Sequence, residues 1–74
     1  MKKKNDKTRQ FKRPNAPLVG ANGNIFNLLG IASRTLKDHG FYDQAKEMGD
    51  RVLQSGSYNE ALAIIQEYVS PVNQ

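Results

Sequence analysis

The chain has 74 residues, 38% of them hydrophobic and 24% charged, which bounds it to one small domain of ordinary soluble composition. With no cysteine and one histidine it excludes a disulfide framework and the usual zinc sites. A core of this size seldom supplies more than about 3 to 5 kcal/mol, so helix packing or self-association has to provide the rest. The net charge of +4 divides unevenly, +6 over residues 1–13 and −2 over the remainder, so the chain reads as a slightly acidic domain carrying a basic arm.

Taken in order, residues 1–15 hold Lys2, Lys3, Lys4, Lys7, Arg9, Lys12 and Arg13, with Phe11 their one aromatic. They contain too little apolar surface to offset the entropy of ordering, and the expectation is a disordered basic tail. No apolar run follows the opening MKKKND, so neither a secretory signal nor a membrane span is expected, and the chain is placed in the cytoplasm. Residues 16–23 have loop chemistry, with Leu18 and Val19 apolar enough to lie against a helical bundle.

Residues 24–70 read as a three-helix bundle with helices at about 24–39, 41–55 and 58–69, an all-α fold in which no segment shows a strand pattern. In the first helix Asn24 is the expected N-cap, accepting from the N–H of Asn27, and Gly40 the left-handed residue of a Schellman ending that brings Leu36 against Phe41. Ile25, Leu29, Ala32 and Leu36 form its apolar stripe, flanked by Leu28, Ile31 and Phe26, an arc wide enough for two neighbours. The second helix repeats Phe41, Ala45, Met48 and Val52, gains a Glu47–Arg51 pair, and ends at Gly56 as a C′ residue. Ser57 and Glu60 form a capping box for the third helix, and Pro71 stops it by imposing an extended conformation on Ser70.

Few residues invite chemistry. LVGANGNIF has the sound of a phosphate-binding turn, but Asn24 and Ile25 stand where a P-loop needs Lys and Ser or Thr. His39 suits the C-terminal charge of its helix, and Ser33 with Lys37, or Asp38 with His39, are ordinary neighbours on one helix face. The expectation is a protein with no catalytic residue, metal or cofactor. A helix-turn-helix about Gly40 would need a basic recognition helix, whereas the second helix offers Asp43, Glu47 and Asp50. Gly30 and Gly49 stand out, because glycine inside a helix costs roughly 0.5 to 1 kcal/mol relative to alanine. Either a neighbouring segment approaches closely there, or a partner does.

APLVGANGNIFNLLGIASRTLKDHG, followed by QAKEMGDRVLQSGSYNEALAIIQEYVSPV, resembles a group of small uncharacterised proteins encoded on conjugative and integrative mobile elements of Gram-positive bacteria. The likeness covers about residues 16–72 and leaves out the basic tail. It implies a setting, an accessory protein of a mobile element, and transfers no functional residue.

Two functions follow as expectations. One is a non-enzymatic interaction module, a monomer or weak homo-oligomer, docking on another protein through Phe26, Gly30, Ile31, Tyr42 and Tyr68. The other is a nucleic-acid-associated factor held to DNA or RNA by Lys2, Lys3, Lys4, Lys7, Arg9, Lys12 and Arg13, with Phe11 stacking on an unpaired base.

Overall fold

The computed structural model describes residues 11–73. Their order is β1 (Asn15–Val19), α1 (Ile25–Asp38), α2 (Tyr42–Leu53), α3 (Tyr58–Tyr68) and β2 (Ser70–Asn73). The helices fall where periodicity placed them, but the fold is mostly helical rather than all-α: β1 and β2 pair as a two-stranded parallel sheet.

The ends of α1 are set by local chemistry. Asn24 is its N-cap, although its side chain accepts from Phe26 N at 2.8 Å and not from Asn27, whose own side-chain amide donates to Asn22 O. At the other end Gly40 adopts φ +82°. Its N–H reaches Lys37 O at 2.9 Å while the N–H of Phe41 reaches Leu36 O at 2.8 Å, the two bonds of a Schellman ending. A side chain at φ +82° would crowd the backbone, which is why glycine stands there.

The second helix departs from expectation at its end. It stops at Leu53, with Gln54 as C-cap, and Gly56 is not left-handed. Gly56 instead donates its N–H to the Glu60 carboxylate at 3.0 Å, while Ser57 Oγ accepts from Glu60 N at 3.1 Å. The capping box is therefore present, with its carboxylate reaching one residue further back than the usual geometry. Arg51 does not turn to Glu47. It forms a two-pronged contact with Glu67 of α3, at 2.6 and 3.2 Å, and Lys46–Asp50 is the i, i+4 pair that α2 shows.

Each helix packs on the next, α1 also touches α3, and the sheet covers one flank of α1 through β1. The core comprises Ala16 and Leu18 of β1, Leu28, Ala32 and Leu36 of α1, Ala45, Met48 and Val52 of α2, and Ala61, Ile64, Ile65, Tyr68 and Val69 at the α3 end. Leu36, Met48, Ile65 and Val69 are fully enclosed. Leu28 proves more deeply buried than Ile25 and Leu29 of the predicted stripe, because β1 rotates the buried arc of α1 toward its own side.

The sheet joins the two ends of the described chain. Asn15 stands opposite Ser70 and Ala16 opposite Pro71, with an irregularity before Val19 meets Asn73. Along β1, Ala16 and Leu18 face the core while Asn15, Pro17 and Val19 face out, the alternation of a half-buried strand. Ser70 N donates to Pro14 O at 2.9 Å, so the backbone groups of Ser70 and Pro14 face each other. By the alternation of a strand, the nitrogens of Pro71 and Pro17 then face away from the ladder, where a missing N–H costs no bond and leaves each outer edge a poorer template for a further strand.

Two parts of the predicted organisation are thereby corrected. Residues 16–19 are strand, not loop. Of the arm predicted to be disordered, residues 1–10 lie outside the described residues, while Phe11 packs edge-to-face on Phe41 with centroids 4.9 Å apart, and Arg13 donates to Gln66 O. Phe11 and Arg13, assigned to the arm by sequence, thus pack on the described domain.

Candidate protein-interaction site

Of the residues predicted to face a partner, Phe26, Gly30 and Ile31 come together. Asn24 starts α1 so that Phe26 lies in its first turn pointing outward, 66% exposed, and Gly30 follows one turn later on the same row. With Ile31, Arg34 and Pro17 of β1 they line an open groove of about 580 Å³. A Cβ added at Gly30 would meet nothing within 4 Å, so neither β1 nor a helix makes the close approach that would explain this glycine; the same is true of Gly49.

Tyr42 and Tyr68 do not join that surface. Tyr42 is exposed at the start of α2, toward the opposite end of α1 from Phe26. Tyr68 is 7% exposed and belongs to the core, where its ring fills space between α2 and α3 and its hydroxyl accepts from Arg51 at 3.1 Å. Its place on the apolar stripe of α3 required this. The guanidinium, 5.8 Å from the Tyr68 ring centroid, holds the Glu67 carboxyl below the usual glutamate range through its paired hydrogen bonds, and Glu67 and Tyr68 in turn raise Arg51. This cluster ties α2 to α3 and offers no free group to a reaction.

A second depression lies on the other side of Phe26. It is lined by Ile25, Phe26, Val52, Leu53, Tyr58 and Ala61 with small residues of the α2–α3 turn, holds about 380 Å³, and has no ionisable side chain except the Tyr58 phenol in its wall. Leu53 is 68% exposed and Tyr58 48%. The Tyr58 hydroxyl donates to Gly23 O at 2.6 Å, which pins its ring across the turn before α1 and leaves one face outward. Together with Phe26 these exposed side chains form one small apolar patch at this end of the helices. Sequence reasoning passed over Leu53 and Tyr58. Leu53 could have been found, since it lies off the Ala45–Met48–Val52 stripe and has to point away from the core.

The remaining predicted contacts fare differently. Phe11 is half-buried against Phe41, and that ring is also stacked over His39 at 6.3 Å, so Phe11 is engaged and does not stand ready for a base. Lys12 is exposed and Arg13 is spent on Gln66 O, while Lys2, Lys3, Lys4, Lys7 and Arg9 lie outside the described residues. His39 Nδ1 donates to Thr35 O at 2.9 Å, an end-of-helix role. At the α1 N-terminus, asparagine side chains already accept the N–H groups of Asn24 and Phe26, which makes the segment a helix start and not a phosphate cradle.

Among the described residues no group of three His, Cys, Asp or Glu is placed to hold a metal ion, and no helix is long and apolar enough to cross a membrane. No protein-family model, curated protein or solved structure matches the chain.

Proposed function

We propose that this domain is a non-enzymatic interaction module that binds a short apolar segment of another protein at the depression between Leu53 and Tyr58. One observation carries the reading: exposed Phe26, Leu53 and Tyr58 converge on one end of the helices around a hollow without a formal charge. Phe26, Leu53 and Tyr58 are few against the roughly 20 to 30 residues a side of a standard interface, so the partner contributes a few anchoring side chains and binding is transient. The resemblance to proteins of mobile elements supplies the setting, with the partner encoded by the element or its bacterial host.

The test is site-specific photocrosslinking from position 53 in cells, with the captured protein then titrated against the purified full chain. Leu53 is too exposed to matter to the core, so Leu53→Asp should keep the helical signal and lose the partner. A partner that binds Leu53→Asp as well as the parent removes the site.

A second reading, polyanion binding by the basic arm, is favoured by the charge of +6 in the first 13 residues. Five neutralised phosphates would give log K a slope of about −4 to −5 against log salt. Because Phe11 and Arg13 are part of the domain, the arm should be removed at residue 10; binding that survives the truncation with the same slope sinks this reading.

A further inference from the structure

We infer that the α1 face carrying Gly30 is a homodimer interface in which two copies of α1 cross antiparallel at Gly30. Phe26, Gly30 and Arg34 occupy one i, i+4, i+8 row along the groove, with Phe26 and Arg34 both exposed. A two-fold axis at Gly30 exchanges the positions four before and four after it. Phe26 of each copy then meets Arg34 of the other, twice, as an aromatic face against a guanidinium.

The charge pattern selects the orientation. A parallel crossing would bring Arg34 onto Arg34 and Asp38, the other charged residue of the groove, onto Asp38, whereas the antiparallel one pairs each arginine with a ring. Rows spaced by four residues interdigitate at a crossing angle near −50°, and a glycine at the crossing allows the short end of the usual 8–10 Å interaxial range. This also gives Gly30 a use. Its Cβ position is empty within the chain, so nothing in the monomer offsets the helix-propensity cost of a glycine there. The groove has eight lining residues, against the 20 to 30 per side of a standard interface, which makes the dimer weak and concentration-dependent.

The interface shares Phe26 with the docking patch, so the two are separated by variants on either side of it, Gly30→Gln acting on the dimer and Leu53→Asp on docking. Sedimentation equilibrium of the full chain from about 1 to 500 µM should show a monomer at the low end and a dimer at the high end. Gly30→Gln, which has open space in the monomer and a helix-favouring side chain, should stay monomeric throughout while circular dichroism shows its helices retained.

Phe26→Lys sets lysine against the partner's Arg34 and should weaken the dimer about tenfold or more. Adding Arg34→Glu should restore it. In one chain these residues lie about 12 Å apart along the helix, so that rescue has to act between copies. A parent chain that remains monomeric at the highest concentration, a dimer unaffected by Gly30→Gln, or a double variant no tighter than Phe26→Lys would each overturn the interface. Leu53→Asp should leave it unchanged.

Discussion

Alanine substituted for glycine at positions 30 and 40 should have opposite effects on stability, although the two sites lie ten residues apart on one helix and its cap. At Gly30 the backbone is helical and the new methyl meets nothing within 4 Å. The unfolded chain loses freedom and the helix gains propensity, so Gly30→Ala should stabilise the monomer by about 0.5 to 1 kcal/mol. At Gly40 there is equal room, but φ is +82°. Alanine there either pays roughly 1 to 2 kcal/mol for the left-handed conformation or gives up the Schellman bonds to Lys37 O and Leu36 O. The pair therefore differs by about 2 kcal/mol. With a urea m-value near 1 kcal/mol/M for so small a domain, their midpoints should stand about 2 M apart, on either side of the parent. Urea titration followed at 222 nm suits the measurement, at a few micromolar protein so that self-association does not contribute. Equal shifts, or a destabilised Gly30→Ala, would refute the reasoning; the first would mean that the C′ geometry costs nothing, the second that something occupies the space beside Gly30 in the monomer.

Ile65→Ala removes a fully enclosed side chain and should cost about 2 to 5 kcal/mol, comparable to the whole stability of such a domain, leaving much of the chain unfolded at 25 °C by circular dichroism. Glu67 has a folded-state pKa below its unfolded value because Arg51 bonds to its carboxylate. Its contribution is thus present above the ordinary glutamate value of about 4.3 and is lost as pH falls through the lowered folded one. Glu67→Gln should lie below the parent in stability at pH 7 and converge with it in acid, as read from urea midpoints across pH. Phe11→Ala should remove an edge-to-face pair of about 0.5 to 1.5 kcal/mol and raise amide exchange at Ser70, whose N–H is held by Pro14 O.

Much of the helical framework was legible because helix signals are local. Asn24, Gly40 and Ser57 each act on backbone groups within a few residues, and the apolar spacing of α2 marked Ala45, Met48 and Val52, which became core. Glu60, Arg51 and Gly56 show the limit of that logic. The Glu60 carboxylate takes the N–H of Gly56 in place of that of Ser57, a choice made within the turn, whereas Arg51 leaves Glu47 for Glu67, which comes within reach only when α2 lies on α3. The candidate site was half legible. Phe26, Gly30 and Ile31 were picked out from one helix, Tyr68 was misassigned to the surface, and the hollow at Leu53 and Tyr58 is assembled from three elements that no single stretch reveals.

The sequence alone determined three helices, their boundaries to within a residue or two, and a basic arm ahead of them, since caps, periodicity and charge are short-range properties. Tertiary structure alone decided that Asn15–Val19 and Ser70–Asn73 are strands. Each is four or five residues long and carries a proline, so neither has enough intrinsic preference to declare itself; each becomes a strand because the helices bring its backbone beside the other. That pairing also turned the last residues of the presumed tail into part of the domain and turned the buried arc of α1.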